Sequence, residues 1–388
     1  ASSDLAGGLA TFYYAWYHNP EHDGAWQHWN HKVLEHWTKE VSAKFPQIGT
    51  HHAPPADIGA NFYPSLGPYS SGNATIIRAH VGMMARAGIG ILVYSWWGRP
   101  SHSKGDANGP PPDEKVVADV LDACEALGVR LAFHLEPYEG RSEMTVKADL
   151  EYLAQLYSKH PALYRQPSCP QGGASQPSGG QEGSQPPEGS LPCAKQGLGR
   201  PLAFVYDSYQ TKPEKWSRVF SPGGDISVRG GAADFLVLGL WVERQHGQDL
   251  LKGGFDGFYT YFATNGMTWG SSHSNWGQMA AFAKKNAMLF VPSAGPGYID
   301  TAVRPWNAGN KRERGDGAYL TRSMDAAAAA APAILSLTSF NEWHEGTQLE
   351  PAAPRQGYLD YGPSGPNMYL DLVRRKVDEC QGGGELVR

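Results

Sequence analysis

Two glutamates, Glu342 and Glu345, stand three residues apart just after the apolar run 333–337. If a turn of helix follows that run, positions i and i+3 share a face with Cβ atoms roughly 5–6 Å apart, close to the carboxylate spacing of retaining glycosidases. Two carboxyl groups at that separation hinder each other's ionisation, so one can donate a proton while the other acts as a base. The alternative is that both acids simply stabilise a helix N-terminus.

The elements that would position this pair alternate along the chain. Short β-rich apolar runs bounded by turn residues are each followed by a helical pattern with apolar spacings of three and four. Eight such units in 388 residues predict one α/β domain over 1–388, a single (β/α)8 TIM barrel whose long βα loops form an open cleft. A doubly wound open sheet is the rival fold, but no Gly-x-Gly-x-x-Gly loop follows the first strand. The predicted strands are 9–17, 90–97, 129–138, 202–209, 234–242, 254–262, 287–294 and 333–340, and the predicted helices include 116–127, 144–157, 276–285, an alanine run near 326–331 and 369–377.

Barrel enzymes carry their chemistry at the C-terminal ends of the strands. Aromatic and polar side chains follow the predicted strands there, so we expect them to meet the two acids at one mouth. The long segment 18–75 is expected to form a wall of the site, because loops of that length in compact domains are usually functional or disordered. The Gly-, Pro- and Ser-rich insertion at about 166–198 precedes strand four and is expected on the opposite face. The side chains expected at the mouth are Tyr14, Tyr17, Trp97, His134, Glu136, Tyr206, Tyr209 and Tyr261.

Composition narrows the class of ligand. The net charge is −5 and no Lys/Arg block is present, so nucleic acid is not an expected partner. The chain carries 12 Trp and 19 Tyr, and flat apolar faces beside hydrogen-bonding groups suit sugar rings, although many of these aromatics must also fill the core. No run of 18 apolar residues exists, so we expect no membrane contact from this segment. The start at Ala1 leaves room for a trimmed export signal or N-terminal anchor.

The cysteines suggest a compartment. Cys169 and Cys193 flank the insertion, and a disulfide between them would contribute about 3 kcal/mol in the chain-entropy model and would imply an oxidising environment. A glycosylation sequon at Asn73 points the same way. Zinc is the rival use of these thiols, but no Cys-x-x-Cys pair exists.

Other motifs lead nowhere. His28, His31 and His36 are spaced loosely like metal ligands, but no carboxylate or cysteine completes a set, so we expect hydrogen-bonded histidines and no metal. The run 134–136 resembles the His-x-Glu of zinc deaminases, but the Pro-Cys-x-x-Cys partner of that motif is absent. No Gly-x-Ser-x-Gly elbow supports a serine hydrolase.

Five longer strings carry a family resemblance. They are DIGANFYP at 57–64, HLEPY at 134–138, FDGFYTYFATNG at 255–266, PGYID at 296–300 and SFNEWHEG at 339–346. In this order the chain resembles glycoside hydrolase family 99, the family of endo-α-1,2-mannosidases, from about residue 11 to residue 370.

The resemblance implies a mechanism and a set of roles. The sugar's own 2-hydroxyl would attack the anomeric carbon to give a 1,2-anhydro intermediate that water then opens. Glu342 would be the base for that hydroxyl, and Glu345 the acid for the leaving oxygen and later the base for water. No metal or organic cofactor is implied. The residues expected to line sugar subsites by this resemblance are Glu136, Tyr209, Tyr261, Arg304 and Asn341.

The resemblance leaves the substrate open. Some family members trim glucosylated mannose arms of N-glycans and others cut bacterial-type α-mannans; in the loop 97–110, Trp97 resembles the bacterial form and 106–109 the animal form. We expect a glucosylated mannose cap on a high-mannose glycan or glycoprotein as partner, in the secretory pathway, in the Golgi lumen or secreted. The alternatives are a mannan-cleaving enzyme, a glycosidase with an enzyme nucleophile, and a non-catalytic carbohydrate-binding protein.

Overall fold

A parallel β-sheet organises the chain. The computed structural model describes residues 8–99, 104–105, 109, 113–166 and 199–382. Within these ranges the strand order is β7-β6-β5-β4-β3-β2-β1-β9-β8, with every pairing parallel. The strands are β1 (Leu9–Tyr13), β2 (Ile91–Trp96), β3 (Arg130–Leu135), β4 (Leu202–Val205), β5 (Leu236–Leu240), β6 (Gly257–Tyr259), β7 (Leu289–Val291), β8 (Ser293–Ala294) and β9 (Leu335–Leu337).

The sheet closes through one barrel strand that is split into two segments, β7 and β8; we call each of the eight strand positions around the barrel a stave. β7 pairs with β6, β8 pairs with β9, and Pro292 stands between β7 and β8. Proline has no N–H for a ladder, so the hydrogen-bonded run is interrupted there while the chain continues in the same direction. The Pro292 carbonyl accepts the N–H of Ser336 at 3.0 Å, which joins this stave to the last one. Nine segments thus make eight staves, and the predicted (β/α)8 barrel is confirmed.

Helices follow the strands and are capped by their own sequence. Ser142 and Thr145 form a reciprocal capping box at the start of α5, and Gly128 ends α4 in the left-handed region at φ 74°. The helices are α1 (Pro20–Asp23), α2 (Lys39–Ser42), α3 (Ala74–Arg86), α4 (Glu114–Leu127), α5 (Glu143–Tyr157), α6 (Pro213–Phe220), α7 (His246–Lys252), α8 (Trp276–Lys285), α9 (Ala318–Ala329) and α10 (Met368–Gly382). No helix in the described ranges combines the length and hydropathy needed to cross a bilayer.

Aromatic rings fill the barrel interior beneath its mouth. Phe12 lies 5.8 Å from Phe204 and 4.8 Å from His134 between ring centroids, and Phe204 lies 5.0 Å from Tyr259. All four side chains are fully buried. Inward-facing residues from different strands therefore form a packed floor, on which the polar residues at the strand ends rest.

The predicted elements differ from the observed ones at their ends. Every strand is shorter than predicted. Most end early because the residues that follow leave the ladder, and β1 for example ends at Tyr13 instead of at residue 17. The predicted strand 287–294 reaches Ala294, but it begins at Leu289 and is interrupted at Pro292. α9 begins at Ala318, well before the alanine run. The helical turn considered after β9 is not present, and 343–346 form an isolated turn.

The segment 18–75 folds over the barrel mouth. It contains α1 and α2 and makes isolated pairings with the chain beyond β9, including Phe62 with Leu359 and Pro64 with Ala352. The insertion beyond Gln166, the proposed Cys169–Cys193 bond and positions 106–108 lie outside the described residues.

Candidate active site

A cavity of about 240 Å³ opens where the C-terminal ends of the strands meet. Most of its wall comes from residues that follow β1, β2, β3, β4, β6 and β9 directly, while the segment 18–75 and the loop after β8 supply the rest. The lining residues are Tyr14, Trp16, His31, Trp97, Glu136, Pro137, Tyr206, Tyr261, Val303, Arg304, Glu342, His344 and Glu345.

Glu342 and Glu345 lie on one tight turn, and both face this cavity. The Glu342 backbone N–H donates to Ser339 Oγ at 2.8 Å, and the His344 N–H donates to the Glu342 carboxylate at 2.9 Å. Glu342 is only 4% exposed, whereas the Glu345 side chain is 28% exposed. One acid therefore sits deep and fixed, and the other is nearer the opening.

Gly346 makes the turn possible. Its φ is 61°, and a Cβ there would lie 2.5 Å from the Ile299 carbonyl oxygen, so a side chain would meet both strain and a clash. The Ile299 N–H in turn donates to the Glu345 carbonyl at 2.9 Å. The backbone of the proposed acid is thus tied to the loop after β8.

Burial changes the ionisation of both acids. It raises the pKa of Glu342 well above its ordinary value, and the negative charge of Glu345 raises that pKa further. Burial also raises the pKa of Glu345, which the cation of Arg304 opposes and the charges of Asp300 and Glu136 increase. The pair therefore holds a proton at pH values where solvated glutamates are ionised.

Arg304 places a positive charge beside the pair. Its Nη1 lies 3.9 Å from the Glu345 carboxylate and 3.1 Å from that of Asp300. Asp300 is buried and also accepts hydrogen bonds from the Tyr298 hydroxyl at 2.8 Å and the Asn307 amide at 2.9 Å. The guanidinium is therefore held in place by a carboxylate that is itself fully engaged.

Three tyrosines line the same cavity. The hydroxyls of Tyr14 and Tyr261 lie 2.5 Å apart, and the rings of Tyr206 and Tyr261 lie 4.8 Å apart. Burial raises the pKa of all three well above the ordinary tyrosine value, so they are neutral hydroxyl groups. Tyr261 has φ 54°, a strained value for a side-chain-bearing residue; its N–H donates to Ser293 Oγ, and its carbonyl accepts from Thr338.

Glu136 brings a third carboxylate to the cavity. It accepts a hydrogen bond from Ser95 Oγ at 2.7 Å and lies 2.8 Å from His134 Nδ1. Because an ionised carboxylate only accepts, His134 Nδ1 donates to Glu136, and His134 Nε2 lies 2.8 Å from the Tyr259 hydroxyl. This chain fixes where the Glu136 oxygens point.

The structure brings together eight of the twelve predicted site residues. Their roles toward a substrate stay predictions, but their positions agree with a shared cavity. They are Tyr14, Trp97, Glu136, Tyr206, Tyr261, Arg304, Glu342 and Glu345.

The other four predicted residues do not line the cavity, and each has a physical reason. Tyr17 and Asn341 are fully buried beneath it, where the Tyr17 hydroxyl donates to the Asn341 carbonyl at 3.0 Å and the Asn341 amide bonds the backbone of Tyr14. His134 stands behind Glu136. Tyr209 is exposed and stacks on the imidazole of residue 246, over a separate small hollow. Tyr17, Asn341 and His134 therefore support residues that line the cavity, and Tyr209 lies apart from it.

Sequence reasoning missed five lining residues: Trp16, His31, Pro137, Val303 and His344. Trp16 and His344 adjoin residues that were singled out, and their positions in those runs were the available signal. His31 was considered only as a metal ligand. It is buried, and burial lowers its pKa to about 4, so it is a neutral side chain of the wall.

Two other features of the described part of the chain lie apart from the acids. The larger cavity of about 720 Å³ is bounded by 52–61, 299–302 and 356–359 and contains neither glutamate, so size alone does not identify the chemistry. One carboxylate–histidine group could hold a cation, but it sits on the barrel exterior and its acids are solvent-exposed: Asp122, Glu125 and His160.

Comparison with known proteins agrees with this geometry. The model of glycosyl hydrolase family 99 matches residues 5–381. The glycoprotein endo-alpha-1,2-mannosidase of Rattus norvegicus is 43% identical over 369 residues, 94% of this chain and 73% of that protein. The glycoprotein endo-alpha-1,2-mannosidase-like protein of Homo sapiens is 41% identical over 371 residues, 95% and 74% of the two chains.

A solved structure shares the architecture. The GH99 endo-alpha-mannosidase from Bacteroides thetaiotaomicron superimposes with a TM-score of 0.82 at 37% identity, covering 97% of this chain and 98% of that chain. The family match includes both glutamates and every residue that lines the cavity. The chain therefore belongs to glycosyl hydrolase family 99 and is a glycoside hydrolase.

Proposed function

We propose that the protein is an endo-α-1,2-mannosidase that releases a glucosylated mannose cap from high-mannose N-glycans with retention of configuration. The relatives described above carry endomannosidase names at about 40% identity. The observation that carries the proposal is the placement of Glu342 and Glu345 on one turn inside one cavity, with raised pKa values.

The proposed reaction has two steps. In the first, Glu342 removes the proton from the mannose 2-hydroxyl, the 2-oxygen bonds to the anomeric carbon, and the glycosidic oxygen leaves with a proton from Glu345. In the second, the ionised Glu345 takes a proton from water and the water oxygen bonds to the anomeric carbon. The bond between that carbon and the 2-oxygen breaks, and the 2-oxygen regains its proton from Glu342. Both carboxyl groups return to their starting states.

The surroundings support this division of labour. A sugar hydroxyl is a weak acid, so its base gains from the raised pKa that burial gives Glu342. The more exposed Glu345 lies nearer the opening, where a leaving glycan and an incoming water have access. Arg304, 3.9 Å from Glu345, offsets the negative charge that Glu345 acquires after the first step.

A glutamine substitution tests the assignment. Glu345→Gln keeps the shape and removes the proton donor, so cleavage of a glucosylated high-mannose glycan should fall at least about a hundredfold while calorimetric binding of that glycan persists. Glu313→Gln, at an exposed glutamate paired with Lys311, is the matched control and should stay active. An active Glu345→Gln variant contradicts the assignment.

A second experiment separates the anhydro route from an enzyme nucleophile. A substrate that lacks the mannose 2-hydroxyl cannot form a 1,2-anhydro sugar, so it should resist cleavage while still binding. Cleavage of this substrate, or a glycosyl ester on Glu342 seen by intact mass spectrometry, would replace the proposed route with the nucleophilic one.

Substrate choice is tested by product masses. With glucosylated and unglucosylated glycans offered together, we expect preferential release of the glucose-containing cap; preferential release of mannose-only fragments would favour the mannan-cleaving alternative. Trp97, which lines the cavity, is one of the described residues of the loop expected to control this choice.

We also propose that the protein works in the secretory pathway, in the Golgi lumen or after secretion. The sequon at Asn73 supports this, and the Asn73 side-chain oxygen Oδ1 already caps α3 by accepting the Thr75 N–H at 2.9 Å. Asn73→Asp keeps that cap and removes the attachment nitrogen. Expressed in a eukaryotic cell, the parent should lose mass on deglycosylation and the variant should not; an unglycosylated cytosolic parent contradicts the proposal.

A further inference from the structure

An exposed tryptophan, Trp37, packs against the half-buried Trp306 near the cavity. Trp37 is 83% exposed, an unusual state for so large an apolar ring. Its ring centroid lies 5.3 Å from that of Trp306 with an interplanar angle of 78°, and His36 lies 3.8 Å from Trp37 and 4.8 Å from Trp306. We call Trp37 and Trp306, with His36 against them, the indole platform.

Hydrogen bonds hold the platform in place. His36 Nδ1 accepts the Thr38 N–H at 2.9 Å, and the His36 N–H donates to Ser42 Oγ at 2.9 Å. The Trp306 indole N–H donates to the Leu34 carbonyl at 3.0 Å. The backbone on both sides of Trp37 is therefore fixed, and a ligand that stacks on the platform loses little affinity to ordering it.

The platform is continuous with the catalytic wall. The Leu34 N–H donates to the Val303 carbonyl at 2.8 Å, and Val303 and Arg304 line the cavity. Trp306 follows Arg304 by two residues, and Arg304 is the group 3.9 Å from Glu345. The platform is thus joined to the part of the cavity wall that carries Arg304, which lies beside Glu345, the residue that would protonate the leaving oxygen.

We propose that the indole platform is an outer subsite that stacks a sugar ring of the leaving glycan, beyond the bond that is cleaved. This inference rests on the proposed function, because it takes the side of the leaving group from the role of Glu345. A pyranose ring presents C–H groups on one face and hydroxyls at its edge, which suits an open indole face with polar neighbours.

The charges around the platform favour a neutral ligand. Glu35, Lys39 and Glu40, all exposed, flank Trp37 with mixed sign. An anionic membrane surface would instead call for a cluster of basic residues beside the aromatic ring. A neutral sugar fits this balance, and a lipid headgroup does not.

The test compares two substrates that share the cleaved sugar. One is a glucose-capped high-mannose N-glycan, and the other is the corresponding glucosyl-mannosyl fluoride, whose leaving group ends at the scissile bond. Trp37→Ala should lower kcat/KM for the glycan about fivefold to tenfold relative to kcat/KM for the fluoride, mainly through KM, and Trp37→Phe should recover part of the loss. Leu156→Ala removes another exposed apolar side chain, at the far end of α5, and should leave the ratio unchanged.

The outcomes separate this inference from the function beneath it. An unchanged ratio in Trp37→Ala overturns the subsite, and so does an equal loss on both substrates, which would mean a structural role. If the parent protein cleaves neither substrate, the proposed function fails first. A lowered ratio with rescue by Trp37→Phe supports the subsite.

Discussion

Neutralising Arg304 should move the pH optimum upward. Its positive charge lowers the pKa of both Glu342 and Glu345, so its removal raises both values. The base then needs a higher pH to ionise, and the acid keeps its proton to a higher pH. Both limbs of the bell-shaped dependence of kcat/KM on pH should therefore shift in the alkaline direction in Arg304→Gln.

The size of the shift follows from one distance. At 3.9 Å, Coulomb's law gives about 1 kcal/mol in bulk water and about 4 kcal/mol at an effective dielectric constant near 20. The two side chains are 31% and 28% exposed, so solvent screens the pair and the lower figure is the better guide. Since about 1.4 kcal/mol corresponds to one pKa unit, we expect an upward shift of about 0.7 pH unit for the limb that reports Glu345.

The assay is the rate of cap release from a glucosylated glycan at low substrate concentration, measured across pH by chromatography. Arg304→Lys keeps the charge and should leave the optimum close to that of the parent, even if activity falls because the bond to Asp300 changes. Arg312→Gln removes a nearby arginine whose guanidinium contacts the Asn265 carbonyl and the Tyr319 ring and should not move it. A profile of Arg304→Gln at the parental pH, or displaced to lower pH, would refute the electrostatic role.

Substitutions at two further positions, each with a control variant, test the residues that hold the acids in place. Glu350 is fully buried and accepts hydrogen bonds from the Tyr69 hydroxyl at 2.7 Å and a tryptophan indole N–H at 2.9 Å. Glu350→Ala should therefore lower the free energy of unfolding, measured in urea, by about 3–5 kcal/mol, and Glu350→Gln should lower it by less. An alanine variant as stable as the parent contradicts this. A Cβ on Gly59 would lie 2.7 Å from that of His31, so Gly59→Ala should cost about 1–3 kcal/mol and reduce kcat/KM, whereas Gly277→Ala, which meets no atom within 4 Å, should be neutral or slightly stabilising.

The fold was predictable because one signal repeats. Each barrel strand is a short, continuous apolar run, which is typical of a parallel strand that is buried on both faces. Each run is followed by a pattern with the period of a helix. The ends of the strands were not predictable from hydropathy, because aromatic residues such as Tyr14 and Tyr17 favour strands by type yet leave the ladder at the mouth. The break between β7 and β8 could be expected at Pro292, because proline has no N–H to donate. The closed barrel shows why the break is tolerated: the Pro292 carbonyl still accepts the Ser336 N–H of the neighbouring strand.

The site was predictable where the side chain that follows a strand enters the cavity directly. It was not predictable where the burial of a side chain decides whether that side chain lines the cavity or supports it from below. Asn341 adjoins Glu342 in sequence, but it is fully buried and holds the backbone of Tyr14. His31 comes from a loop whose path over the mouth no local pattern specifies. Sequence gives the residue types at the mouth, and packing decides which of them reach the cavity and which support it from below.

The isolated turn after β9 has a chemical consequence that the expected helix would not have. A helix N-terminus stabilises ionised carboxylates and would lower the pKa of both glutamates, which disfavours a proton donor. In the turn, the His344 N–H bonds the Glu342 carboxylate, but no run of aligned peptides follows, so burial prevails and both pKa values stay raised. The turn therefore orients the two acids without the positive potential of a helix N-terminus, which would favour loss of the proton that the pair holds. Arg304 supplies the positive charge that offsets the negative charge of Glu345.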